Sequence, residues 1–192
     1  MTNTDLHLTG DAEADALLSG NPLALLIGML LDQQFPMERA FAGPHELSKR
    51  LGHEPNAAEL ADFDPDALAE IFAQPPVIHR YPRSMAGRVQ ALCRLLVERY
   101  DGDAAGLWRE VDSGTELLRR VEELPGFGKQ KARIFVALLG KQYGVSPPGW
   151  REAAGPYGEE GSRRSIADVT GPDSLQEVRA SKRAAKAAAT GS

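Results

Sequence analysis

Apolar side chains along this chain recur at three- and four-residue spacing, and the breaks between them fall at Gly, Pro, Asn and Asp. Asn21-Pro22 has the form of a cap followed by proline at the first helical position. It opens a nearly all-apolar helix running to about Gln34. A helix apolar on every side belongs at the centre of a core. Pro36 can start the next helix, and Gly43-Pro44 and Gly52 are expected to punctuate two more short ones. Asp64-Pro65 repeats the cap-plus-proline form ahead of Leu68, Ile71 and Phe72, and Pro75-Pro76 ends that segment. Ser84 is expected to cap a helix to about Tyr100, with Met85, Val89, Leu92 and Leu96 on one face. A further helix at about 115–122 leads into a sharp turn over Leu124–Gly128. The helix beyond it reaches about Gln142, with Ala132, Phe135, Val136 and Leu139 at core spacing. Gly144 to Gly161 reads as an ordered loop in which Trp150 and Tyr157 need somewhere to pack. A last helix runs from Pro172 to about Ala188, and the final residues should fray. No stretch alternates as a strand does, and no repeat has solenoid period. The expectation is an all-α fold of many short helices. Residues 1–150 form its helical domain, with the hairpin at 115–142, and residues 151–192 form a loop and helix packed on it.

Composition narrows the classes. At 192 residues, about 70% of the unfolded chain's surface is buried on folding, enough for one core without a disulfide or metal staple. The single cysteine, Cys93, excludes an intramolecular disulfide, a Cys-based zinc site and a four-thiolate Fe–S cluster. Cys93 sits in an apolar helical pattern, as a buried thiol would. His7, His45, His53 and His79 are scattered and read as surface or capping residues. The acidic, polar start lacks the form of a signal peptide, and the apolar run Leu23–Leu31 is too short to span a bilayer. A soluble, cytoplasmic, monomeric protein is expected, associated with the nucleoid and not with a membrane.

Charge sharpens the picture only when it is resolved along the chain. The net charge of −5 leans away from nucleic acid, yet residues 1–80 carry 4 basic and 13 acidic groups while residues 119–143 carry six basic and two acidic. Within that basic stretch lies Leu124-Pro125-Gly126-Phe127-Gly128-Lys129-Gln130-Lys131-Ala132. Two glycines allow a tight reversal and leave backbone N–H groups uncovered, and the turn opens into a helix N-terminus beside two lysines. Free amides, a positive helix end and ammonium groups together bind an anion, and on nucleic acid they would grip backbone rather than read sequence. A plain helix–turn–helix connection, with glycines for close packing, is the alternative.

This segment resembles the helix-hairpin-helix motif of the HhH-GPD superfamily of base-excision DNA glycosylases, which includes endonuclease III and the alkyladenine glycosylases. Pro22–Ile27, continuing to Leu30-Leu31-Asp32-Gln33-Gln34, resembles the family's central helix, which ends in a glutamine facing the DNA. The resemblance covers about residues 21–145, and the stretch GWREAAGPYGEEGS is similar to the ending of short bacterial HhH-GPD-type base-excision repair proteins. It implies two helical lobes with a cleft between them, no Fe–S cluster, and no cofactor beyond a monovalent cation at the hairpin. Double-stranded DNA is the implied partner. Gly126, Phe127, Gly128, Lys129 and Lys131 would hold it, and Gln34, or in its place Gln33, would fill the gap left by an extruded base.

Two positions depart from the family pattern. Gln130 stands where the strand-nicking members carry lysine, and an amide cannot form a Schiff base, so no lyase activity is expected from it. The family's aspartate beyond the hairpin helix would fall near Pro148, in a stretch, Gly144–Trp150, that has no acid. Asp32, Glu152 and Asp168 are the carboxylates that could replace it, with Asp32 foremost because a charge at the end of an apolar helix needs a reason. Asp32, Gln130 and Asp168 are thus the expected catalytic positions. The activity implied is monofunctional hydrolysis of a damaged or mispaired base from duplex DNA. The alternatives are a fold without chemistry that recognises distorted or abasic DNA, and a helical protein–protein adaptor.

Overall fold

The computed structural model describes residues 5–191, and among them the chain is all-α, with no strand. The helices are α1 (Ala12–Gly20), α2 (Pro22–Leu31), α3 (Met37–Leu51), α4 (Ala57–Asp62), α5 (Pro65–Ala73), α6 (Pro82–Tyr100), α7 (Gly114–Glu122), α8 (Lys129–Gln142), α9 (Trp150–Ala154) and α10 (Pro172–Thr190). Single 3-10 turns lie at Ala104–Leu107, Gly155–Gly158 and Ile166–Asp168.

The apolar helix is central, as its pattern requires. Asn21 accepts the Ala24 N–H at 3.1 Å, Pro22 begins α2, and every residue from Leu23 to Leu31 is buried. Around it the other helices form two groups. α4 and α5 pack on α6, while α7, α9 and the turns at 155–158 and 166–168 gather round α8. α2 lies between them, against α1, α3, α6 and the 104–107 turn, and one contiguous apolar core runs through both groups.

Three boundaries differ from the expectation. α2 stops at Leu31 rather than Gln34, because Asp32 leaves the helical region and Gln34 is left-handed at φ +54°. α3 runs unbroken through Gly43-Pro44. There the missing Gly43 side chain lets α3 close on α2, since a Cβ would stand 2.7 Å from Leu31 Cδ1. Burial of Ala40, Phe41 and Leu47 outweighs the one hydrogen bond that Pro44 forgoes. α6 begins at Pro82, so Ser84 is inside its first turn and caps nothing. α4 follows the break at Gly52, while α1 and α9 lie outside the expected elements; each is short, and α1 is held by Asp11, which accepts the Glu13 and Ala14 N–H groups at 2.9 and 3.2 Å. At the other end α10 runs to Thr190, past the residues expected to fray, and Ser192 lies outside the described residues.

No single helix among the described residues is long and apolar enough to cross a membrane. Cys93 is fully buried and burial pushes its thiol up to about 12, which removes it as a nucleophile.

The α2–α3 contact has little slack: a Cβ on Gly28 would lie 2.7 Å from Phe41 Cδ1. Gly28→Ala should therefore destabilise the fold by about 1–3 kcal/mol through overpacking, despite the better helix propensity of alanine. Denaturant unfolding of the variant against wild type measures it, and a stabilised variant would contradict the packing described.

Candidate functional site

The end of α2, the turn before α8 and the distal half of α10 converge on one cleft of about 720 Å³. α2 contributes Met29 and, just past its end, Asp32 and Gln33. The hairpin contributes Gly126 and residues 128–131. Opposite these stand Tyr157, Arg164 and the α10 residues Ser181, Lys182 and Ala185.

The hairpin turn is tight because of where its glycines are. Gly126 has φ +83°, and a Cβ there would strike Leu30 Cδ1 at 2.5 Å, so both its conformation and its contact with α2 require glycine. Leu124 accepts the Phe127 N–H at 3.1 Å, which closes the turn. Gly128 is different: its φ is −75°, it caps α8 with no side-chain acceptor, and nothing lies within 4 Å of a Cβ built on it. The opening amides of α8 are therefore left to solvent beside exposed Lys129, as an anion-binding helix end requires. Phe127 can contribute only through its backbone. Its side chain is buried, edge-on to Phe135 with centroids 6.0 Å apart, so it anchors the turn to the core and offers only its backbone to a ligand.

Of the three carboxylates weighed as replacements near Pro148, only Asp32 lines the cleft. Asp168, expected among the catalytic positions, is instead a structural carboxylate: it is buried, receives Lys141 Nζ at 2.6 Å and the Arg164 N–H at 2.9 Å, and closes a capping box with Ser165. Its charge is spent on structure. Glu152 is exposed on α9, away from the cleft. The Gly144–Trp150 segment lies against α7 and α8: Pro148 O accepts the Gly114 N–H at 2.8 Å, and the Trp150 ring fills the space a Gly140 side chain would need. Among the described residues Asp32 makes no side-chain hydrogen bond or ion pair. Burial pushes its carboxyl above the ordinary range, with Lys182 and Lys131 opposing.

The glutamines exchange places. Gln33 lines the cleft and accepts Arg88 Nη1 at 3.0 Å, whereas exposed Gln34 turns away and accepts the Tyr81 hydroxyl at 3.3 Å. What sets this turn is His79, which is fully buried rather than superficial. The Tyr81 N–H donates to its Nδ1 at 3.0 Å, which leaves Nε2 as the donor to the Gln33 carbonyl, also at 3.0 Å. Burial lowers its pKa, which keeps it in the neutral form those two bonds need. A histidine preceded by an apolar run and followed by Arg-Tyr-Pro carries no sequence signal for this role. Gln130 donates to the Tyr157 hydroxyl at 2.9 Å and closes the far side of the cleft.

Lys131 is the least ordinary group present. It is half-buried, its Nζ donates to the Leu30 carbonyl at 3.0 Å, and burial lowers it to about 8, with Asp32 opposing and Arg88 and Lys182 adding. A half-buried carboxylate, an amine of depressed basicity and a helix N-terminus thus share one cleft. Such a set can hold phosphate on one side and stabilise positive charge on the other.

A buried central helix, a glycine hairpin with an open helix end and a cleft at their junction define a helix-hairpin-helix protein. The family model of the HhH-GPD superfamily base excision DNA repair protein matches residues 27–188. The chain belongs to that superfamily, and with it to base excision repair and DNA binding. No match to a curated protein was found.

The Lys131 pKa has a measurable consequence. The unfolded chain binds this proton up to its ordinary value near 10.5 while the folded chain releases it near 8, so stability rises with pH between the two and the cost is fully present below 8. Wild type should therefore gain stability relative to Lys131→Met as pH passes from 8 to 10.5, whatever the variant loses with the Leu30 bond at lower pH. Denaturation midpoints across that range measure it, and a constant difference would contradict the assignment.

Proposed function

We propose that the protein is a monofunctional DNA glycosylase that hydrolyses the N-glycosidic bond of a damaged or mispaired base in duplex DNA. The observation that carries this reading is the presence of one unpaired, half-buried carboxylate, Asp32, in the same cleft as the open end of α8. The hairpin amides and Lys129 hold the backbone, Gln33 is the side chain placed to enter the stack, and the target nucleotide turns into the cleft. As the bond from C1′ to the base breaks, positive charge grows on the sugar. Ionised Asp32 stabilises it and accepts a proton from the water that forms the new C1′–O bond, while the base leaves with its electron pair and takes up a proton. Gln130 offers no amine to the sugar and the Lys131 amine is engaged by the Leu30 carbonyl, which supports hydrolysis without a lyase step.

A second reading, a damaged-DNA binder without chemistry, is favoured by one observation: the Gly144–Trp150 segment, where the family carries its aspartate, has no acid and packs away from the cleft. Single-turnover base release from duplexes carrying alkylated, oxidised, deaminated or mismatched bases separates the two. Under the first reading one substrate class is released, Asp32→Asn slows release by about 10²- to 10⁴-fold, and duplex affinity stays within a few-fold. The acidic limb of the rate profile lies above the ordinary carboxylate range, because Asp32 must be ionised and its pKa is raised. Release from no member of the panel, with tight binding to an abasic duplex, would establish the second reading.

The phosphate grip has its own test. Gly128→Ala meets open space and should leave the unfolding midpoint unchanged, yet weaken duplex binding by crowding the ligand; Lys129→Ala should weaken it by losing a charge. Unchanged duplex affinity in both variants would remove the hairpin from the interface.

A further inference from the structure

α10 is built in two unlike halves. Its first half is anchored: Val178 and Ser174 are buried, Leu175 packs on the core, and Arg179 pairs with Glu38 at the start of α3. From Lys182 to Thr190 every residue is exposed, and the sequence there, Lys-Arg-Ala-Ala-Lys-Ala-Ala-Ala-Thr, has no large apolar side chain to bury. Alanine keeps such a segment helical without packing. What it presents is charge. Arg179, Lys182, Arg183 and Lys186 stand at i, i+3, i+4 and i+7, one continuous stripe along one face, and no acid follows Glu177. Glu38 neutralises Arg179, while Lys182, Arg183 and Lys186 make no ion pair among the described residues.

The stripe is continuous with the cleft. Lys182 lines it together with Lys129 and Lys131 of the hairpin, and Arg183 and Lys186 carry the same charge outward from its rim. We infer that the distal half of α10 is a second phosphate-binding arm, which takes the DNA backbone on the side of the cleft opposite the hairpin. The inference rests on the reading that duplex DNA enters this cleft. Charge complementarity selects the partner. A polyanion of regular spacing suits a row of exposed cations on a stiff helix, whereas a lipid surface would need Leu, Phe or Trp on the other face, which holds only alanine and small polar residues. It also gives the chain a way to hold DNA while its net charge is −5, because both cationic elements face one cleft.

The test uses the full chain and two duplexes, one undamaged and one with a stable abasic-site analogue, titrated with salt by fluorescence anisotropy. Arg183→Ala/Lys186→Ala removes two charges outside the cleft and keeps the helix, which circular dichroism checks. Each lost phosphate contact lowers the magnitude of the slope of log K against log salt by about 0.9, so the double variant should lose about 2 and the triple variant with Lys182→Ala about 3. Slopes equal to wild type in both variants, with Lys129→Ala still weakening binding, would overturn the arm and leave the hairpin reading intact. A wild-type protein that binds neither duplex would overturn both. Binding of wild type to anionic vesicles that the triple variant loses, with DNA slopes unchanged, would give the stripe to a membrane and overturn the proposal.

Discussion

The bond from Lys131 Nζ to the Leu30 carbonyl joins residues 101 positions apart and ties the start of α8 to the end of α2. Both partners are at helix ends, where backbone groups lack intrahelical mates. α2 is buried from Leu23 to Leu31, its last carbonyls have no intrahelical donors, and a cation there satisfies what the helix itself cannot. Gly126 permits the approach by keeping a Cβ off Leu30. The cleft exists because these two helix ends meet and neither continues through the other.

That meeting also sets the cleft's electrostatics. Burial costs both charges at once: it raises Asp32 and lowers Lys131, and their mutual attraction opposes each shift without cancelling it. Lys131 is committed to the Leu30 carbonyl, whereas Asp32 has no structural partner of the kind that Asp168 has in Lys141. A charge held half-buried without a full set of bonds is a cost to the folded chain, and a group that retains it is free to act on something else. Asp32 and Asp168 thus differ physically as a carboxylate left without a bonding partner and one committed to the fold.

The turn at Gln33 and Gln34 shows how indirectly a functional direction is chosen. Both side chains are amides at a helix end, and nothing local separates them. Buried His79 holds the Gln33 carbonyl, Gln34 is placed in the left-handed region, and Arg88 on α6 then captures the Gln33 amide at the cleft. The direction of one side chain thus depends on two residues more than forty positions away.

Much of this was legible in the chain. The all-apolar run at 22–31, the caps at Asn21 and Asp64, and the glycine hairpin at 124–132 determine a helical fold with a buried centre and an anion-binding turn, because periodicity and capping are local properties. The charge reversal between the first eighty residues and the hairpin region was equally visible. Which carboxylate is free, which glutamine faces the cleft, why Phe127 turns inward and why α3 ignores Gly43-Pro44 were decided only in three dimensions. Each depends on partners distant in sequence: Lys141 for Asp168, His79 and Arg88 for the glutamines, Phe135 for Phe127, and Leu31 for Gly43. Sequence fixes what each segment can form by itself; burial and pairing across the chain fix which groups are left over to work.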